Sequence, residues 1–291
     1  MKKKQLNGVL YILPFVTFWA LFLAWPVIYG IFISLFEWQG MRGIEFIGFS
    51  NYLTLFNDAH FWNAFFNTLK FAGMVIPLIV GLGLLFALMI WGWGKGRRGI
   101  RFIQSALFFP YLLTISIVSL TWLWLLDRDY GLIQYLLRLL HIPAPHLLSS
   151  VEWVLPTIVF VTAWKFAGYR MLIFQAGLED IPYELFEAAE LQGASHVRKF
   201  ISIILPLLKP SLLFTIVLTI IAGFRAFGQV LIMTEGGPGR ASEVLALYLY
   251  RTGFEYFEPG KAAATGVILL LMIMGLTMVA VKFIGLKSEL Q

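Results

Sequence analysis

The sequence predicts an all-α membrane protein with six membrane-spanning helices, and three observations carry that expectation. Hydrophobic residues make up 59% of the 291 positions and charged residues 13%, against about 25% charged in a soluble domain. Six apolar runs are each long enough to cross a bilayer, which takes about 20 residues of helix. The basic residues gather beside these runs, mostly on one side, as the positive-inside rule requires.

The chain opens with Lys2, Lys3 and Lys4, a charged start like that of a signal peptide. The apolar run that follows is too long for a signal peptide and lacks a small-residue cleavage site, so it reads as a retained first span, 8–35. The other spans are 68–91, 102–126, 151–172, 204–233 and 262–283. Residues 1–65 form an N-terminal part and 66–286 the main domain. With both termini in the cytoplasm, the inner segments hold Lys2–Lys4, Lys95, Arg97, Arg98, Arg101, Arg198, Lys199, Lys209, Lys282 and Lys287. The outer loops hold Arg42, Arg128, Arg138, Arg240, Arg251 and Lys261, partly offset by acids. This distribution assigns the net charge of +6 to membrane topology and not to nucleic-acid binding.

Residues 37–67 carry Gly48-x-x-Asn51-Tyr52, Phe61-Trp62 and Asn67-Thr68, an aromatic pattern suited to a segment lying in the interface. The next outer loop, 127–150, holds a short apolar helix at 132–140 and then His141 and His146. There is no cysteine, and no carboxylate cluster stands near the histidines, so neither a disulfide nor a metal site is expected. After the fifth span, Thr234-Glu235-Gly236-Gly237-Pro238-Gly239 forces a tight turn. Pro14, Pro26, Pro77, Pro110, Pro156 and Pro206 fall in or beside spans, where freed backbone groups need other partners.

The longest polar run, 179–210, separates spans four and five. Pro182 suits the first turn of a helix. Helix is expected from Tyr183 to Arg198, interrupted by Gly193. Leu185, Ala188, Ala189 and Gln192 share one face, with Glu184, Glu187 and Glu190 around the others. The result is a helix–turn–helix on the membrane surface whose small residues admit close approach by another protein.

Glu187-Ala188-Ala189, Gly193 and Ile203-x-Leu205-Pro206 match the spacing E-A-A-x-x-x-G-x(9)-I-x-L-P. The loop thereby resembles the signature of permease subunits in binding-protein-dependent ABC importers, with Gln192 where that family usually has Asp. The Thr-x-Gly-Gly-Pro turn, Glu243 and Tyr248-x-Tyr250 resemble the MalF-like half of the sugar-type (carbohydrate uptake class 1) permeases. The resemblance implies the type I importer permease fold in the cytoplasmic (inner) membrane. It also implies a coupling loop at 179–203 that docks in an ATPase cleft. Glu187, Ala188, Ala189, Gly193, Leu205 and Pro206 are its expected coupling residues, and Gly236, Gly237 and Pro238 form the expected extracytoplasmic turn. The implied partners are a second homologous permease subunit, two ATP-binding subunits and an extracytoplasmic solute-binding protein, besides membrane lipid. No cofactor is expected on this chain. It has no G-x-x-x-x-G-K-[ST] phosphate loop, and ATP and Mg would be used by the partner ATPase.

Polar residues at membrane depth are costly and are therefore candidates for function. On span four Thr162, Lys165, Phe166 and Tyr169 define one face, flanked by Trp164 and Arg170. On span five Thr219, Gly223 and Ala226 share a face with Thr215, and Arg225 and Gln229 lie on the adjoining one. Aromatic planes beside hydrogen-bonding groups suit a sugar, and the resemblance places substrate contacts on these two helices. The same residues also suit ordinary interhelical hydrogen bonds and close packing. Lys165 and Arg225 admit two readings: attraction of an acidic or phosphorylated saccharide, or pairing with a partner's acid or snorkelling to water.

Three rival classes remain. An ion-coupled secondary transporter would carry intramembrane acids or histidines and internal repeats, which are not evident here. A membrane enzyme would show a carboxylate or histidine cluster at one surface. A sister ABC permease for peptides, amino acids or phosphate is disfavoured by the Gly-Gly-Pro turn.

Overall fold

The computed structural model describes residues 2–38, 43–92, 98–141 and 146–285. Arg42, Lys95, Arg97, Lys287 and residues 142–145 of the two-histidine loop lie outside them. Four helices are long and apolar enough to cross a membrane, and six spans result when each of two sharply bent helix pairs counts as one. The chain divides into two compact units, residues 1–62 with 248–271, and residues 63–247 with 272–291.

In the first unit α1 (Lys2–Trp19) passes through a π turn, Ala20–Ala24, into α2 (Trp25–Ile33). The π turn has a cause in the sequence. Pro26 cannot donate to the carbonyl four residues back, and its ring crowds that carbonyl, so the helix widens just upstream. The apolar run Tyr11–Ile33 has none of its most apolar window buried within this chain.

The expectation of helices alone misses a small antiparallel hairpin, β1 (Phe36–Trp38) and β2 (Ile44–Phe46), with Phe36 opposite Phe46. It is followed by α3 (Ser50–Phe56). The Asn51-Tyr52 pair fixes this corner. Asn51 donates to the carbonyls of Ser34 and Phe36, both at 2.9 Å, and the Tyr52 and Ser34 hydroxyls lie 2.7 Å apart. Nearby, Asp58 accepts hydrogen bonds from the Tyr248 hydroxyl at 2.7 Å and Lys261 Nζ at 3.1 Å. Partial burial works to raise the Asp58 carboxyl, but these bonds and the His60 N–H outweigh it and hold it at about 2. Burial and the same Asp58 carboxylate push the Tyr248 phenol upward.

The second unit contains most of α4 (Ala59–Gly92), a continuous helix carrying Pro77. The third apolar window is not one straight helix. It is α5 (Arg98–Leu112) and α6 (Ile115–Leu125), bent by 100° at residues 113–114. Thr114 starts the second piece, its side chain accepting from the Ile117 N–H at 3.3 Å. The short helix α7 (Leu132–Leu139) follows, close to the expected 132–140.

The long helix α8 (Val154–Glu179) is the most buried span. It meets α5 backbone to backbone, since a Cβ on Gly168 would fall on the Leu107 carbonyl. The polar loop forms α9 (Glu184–Leu191) and α10 (His196–Lys199), so the helix expected over 183–198 is interrupted for four residues around Gly193. A π turn, Phe200–Ile204, then precedes Pro206 in α11 (Leu205–Leu207), as the first precedes Pro26. The fifth window is also divided. The chain bends by 68° at Leu208 into α12 (Lys209–Phe224), breaks again at Arg225–Phe227 and resumes as α13 (Gly228–Thr234). The remaining helices, α14 (Leu245–Tyr250) and α15 (Pro259–Ala280), are each shared between the two units.

Two outcomes are expected. Gly168→Ala should lower thermal stability in detergent by about 1–3 kcal/mol or more, because nothing but backbone stands in the way of the new methyl; a differential melting measurement on the purified chain reads this. Asp58 has a folded value below its ordinary 3.8, so its stabilising contribution is complete above the ordinary value and disappears as pH falls toward about 2. The melting difference between wild type and Asp58→Asn should therefore be full at pH 5 and shrink progressively toward pH 2.

Candidate functional site

The polar loop is built as an anchored hook. Ile181 and Phe186 are buried in a cluster with Ala87, Met171, Phe174 and Leu208, and the Phe186 ring lies 5.0 Å from that of Trp91. Glu187 and Ala188 are exposed and Ala189 is half-buried, so the middle of the signature faces outward from α9. Gly193 has φ +72°, a left-handed conformation that ends the helix, with its N–H on the Glu190 carbonyl at 2.9 Å. Ser195 caps α10 by accepting from the Arg198 N–H. Lys199 Nζ closes the turn on Glu190 Oε1 at 2.8 Å and holds that carboxyl below its ordinary value. Leu205 is half-buried and Pro206 exposed. Around the signature, Tyr183, Leu185, Leu191 and Val197 are also exposed, Leu191 to 91%. The sequence pattern located the hook but missed Phe186, the residue that fastens it.

Within the apolar spans α5 and α8 bring five aromatic and cationic residues together. The Tyr111 and Tyr169 rings stack at 4.4 Å and 10°, and Phe166 meets Tyr111 edge-on at 6.0 Å. Lys165 is 5% exposed. Its ammonium donates to the carbonyls of Pro110 at 3.3 Å, Tyr111 at 3.1 Å and Leu113. The buried Arg170 guanidinium lies 5.0 Å from the centre of the Tyr169 ring, and Nε donates to Thr219 Oγ1 at 3.1 Å, joining α8 to α12. Thr219 in turn donates to the Thr215 carbonyl at 2.7 Å.

The other candidates are placed differently. Thr162 is buried and donates to the carbonyl of Ile158 in its own helix. Gly223 packs against α4, where an added Cβ would come within 3.2 Å of Val75. Ala226 is buried within the break and Gln229 just beyond it. Arg225 is exposed at the C-terminus of α12, at a break and not within a continuous helix. Among the described residues, Lys165, Arg170 and Arg225 form no ion pair with a carboxylate. Tyr111 was missed, and Arg170 was noted only as a flank. Periodicity along one helix cannot show a partner on another.

The Gly-Gly-Pro turn is held from within its own unit. Glu235, Gly236 and Gly239 have positive φ and the Gly237–Pro238 peptide is cis. Ser242 Oγ donates to the Gly237 carbonyl at 2.7 Å and lies 2.8 Å from Thr234 Oγ1. From α4, Asn63 and Asn67 donate to the Arg240 carbonyl at 2.7 and 3.2 Å. Thr68 Oγ1 accepts from the Leu245 N–H at 2.8 Å. The Asn67-Thr68 pair is thus the seat of the turn.

Residues 8–285 match the family described as binding-protein-dependent transport system inner membrane component. The chain is 32% identical over 281 residues to the sn-glycerol-3-phosphate transport system permease protein UgpA of Yersinia pseudotuberculosis serotype I (strain IP32953), covering 96% of this chain and 94% of the relative. It is 30% identical to the sulfoquinovosyl glycerol transport system permease protein SmoG of Agrobacterium fabrum (strain C58), over 98% and 92% of the two chains. The fold matches a chain of a bacterial ABC transporter involved in the import of the acidic polysaccharide alginate. That match has a TM-score of 0.85 at 22% identity and covers 99% of each chain.

The Arg170–Thr219 bond is open to a direct test. Thr219→Val keeps the shape but removes the acceptor, leaving a buried guanidinium short of a partner. The expected cost is about 1–3 kcal/mol, read as a lower melting temperature in detergent, with Thr219→Ser close to wild type.

Proposed function

This chain belongs to the family of inner membrane components of binding-protein-dependent transport systems, and we propose that it imports a sugar or oligosaccharide. In this reading it pairs with a second, homologous permease subunit. Two ATP-binding subunits drive the pair using ATP and Mg, and an extracytoplasmic binding protein delivers the substrate. This chain hydrolyses nothing itself. Residues 66–286 act as the permease domain, 179–203 as its coupling loop, and both termini face the cytoplasm.

The observation that carries the reading is the build of the hook. Glu187 and Ala188 face outward on α9, while Ile181 and Phe186 bind the same segment to the core beneath α8. A push on the loop is therefore transmitted to the spans and is not absorbed by loop deformation. Closure of an ATPase on α9 then biases a two-state bundle between inward- and outward-facing forms. Thr162, Phe166, Tyr169, Thr219, Gly223, Arg225, Ala226 and Gln229 belong to the substrate pathway, with Tyr111 added to them, and Lys165 belongs to it as a support behind Tyr111. The aromatic faces would stack on the C–H surface of a sugar.

A second reading of the substrate, an acidic or phosphorylated saccharide, has its own support. Buried Arg170 and exposed Arg225 have no carboxylate partner among the described residues. The relatives' names include a glycerol phosphate permease and an importer of an acidic polysaccharide. Mass spectrometry of the small molecule that copurifies with the detergent-solubilised complex separates the two.

Gly193 supplies the test of coupling. A side chain at this position meets nothing within 4 Å, so Gly193→Ala pays only the left-handed backbone strain of about 1–2 kcal/mol. Gly193→Asp adds a charge to the docking surface. Gly193→Asp should reach the membrane at the wild-type level and abolish ATP-driven uptake, with Gly193→Ala retaining most of it. Uptake by Gly193→Asp at the wild-type rate, or recovery of the chain with neither a second permease nor an ATPase, would refute the reading.

A further inference from the structure

We propose that Lys165 is a positioning residue and not a ligand for substrate: its ammonium replaces the backbone donors that the third span loses at residues 113–114, and it thereby fixes Tyr111 against Tyr169.

A helix ends with carbonyls that have no donor within the helix. At the end of α5 the Tyr111 carbonyl is in this position, the Pro110 carbonyl keeps only a long backbone bond from the Leu113 N–H at 3.3 Å, and the Leu113 carbonyl follows in the bend. An unsatisfied carbonyl at membrane depth is costly. Lysine has three N–H donors and no acceptor, and the three carbonyls take all three. A positive charge also suits the negative end of a helix dipole. With its donors committed and its side chain buried, the ammonium has nothing left to offer a substrate anion. Of the two cations singled out in the sequence, only Arg225 is exposed.

Two further contacts show that the bend is a built joint. Gly168, one turn after Lys165 on α8, lets the backbone of α5 close onto α8 at Leu107. Beyond the bend the third span gains a second partner while Trp122 stays against Phe160 and Trp164 of α8, at 5.7 and 5.4 Å. Ile115 at the start of α6 stands 3.0 Å from where a Cβ on Gly228 of α13 would be. Lys165 therefore sits where the span, still touching α8, turns toward α13. Tyr111 is both a carbonyl ligand of Lys165 and the ring stacked at 4.4 Å on Tyr169, so the cap and the stack share one residue. The importance of that stack for transport rests on the function proposed above, whereas the capping role does not.

The chain has no cysteine, so a pair of spin labels can be placed across the bend at the exposed positions Leu112→Cys and Leu120→Cys. Distances are read by pulsed electron paramagnetic resonance on the full chain, with its copurifying subunits, in lipid nanodiscs without added substrate. Wild type and Lys165→Arg, which keeps the charge and several donors, should give the same single narrow distance. Lys165→Met should lose it and give a broad distribution. Should Lys165→Met fail to reach the membrane, Lys165→Gln, with two donors, takes its place and should broaden the distribution partially. An unchanged distance in the Met or Gln variant, or a loss in Lys165→Arg equal to that in the neutral variant, overturns the proposal. Because no substrate is present, either result leaves the question of what is transported to the uptake measurements.

Discussion

A backbone carbonyl or N–H left alone in hydrocarbon costs several kcal/mol, and the interior of this chain is arranged around the places where its helices stop. Span three bends by 100°. It is closed on one side by Lys165 and on the other by the Thr114 cap. Span five stops at Arg225 and restarts at Gly228. Tyr111 stands on the last turn before the first of these stops, beside Phe166, Tyr169 and Arg170 on α8. The irregular backbone of the bend is tolerated because α8 supplies both the glycine that permits close approach and the lysine that satisfies the carbonyls.

The same helix links the two candidate regions. Phe174 and Leu178, at the polar-loop end of α8, pack with Ile181 and Phe186 beneath the hook, while Lys165, Tyr169 and Arg170 lie on its middle turns. A rigid helix of 26 residues thus carries the loop at one end and the aromatic stack near its centre. In the coupling reading proposed above, one element joins α9 to the stack, without a relay of independent contacts.

Much of this was legible in the sequence, and what was not has identifiable causes. Hydropathy located the four long helices and the two bent pairs, and the spacing Glu187-Ala188-Ala189 to Pro206 located the hook. A window of about 19 residues averages over a bend, so Leu112-Leu113-Thr114 read as continuous apolar helix. The one local signal, a threonine suited to an N-cap, was too weak to be noticed inside an apolar run. Periodicity placed Lys165, Phe166 and Tyr169 on a common face, but Tyr111 comes from another span and no single-helix pattern contains it. The hairpin at Phe36–Trp38 and Ile44–Phe46 shows the aromatic–glutamate alternation of strands, yet three residues are too few to stand out against the neighbouring spans. Asn67-Thr68 was read as part of an interfacial segment. Its seating of the Gly-Gly-Pro turn depends on a partner more than 170 residues away.

The π turn at Phe200–Ile204 has a consequence for phase. One extra residue in a helical turn rotates everything on one side of it by about 100° relative to an uninterrupted helix. The faces of α10 and α12 therefore cannot be read from one helical wheel drawn through both. The widened turn upstream of Pro206 acts as a fixed angular offset between the hook and the fifth span. A one-residue deletion there would leave every side chain of the loop in place chemically and still aim it at a different part of the membrane surface.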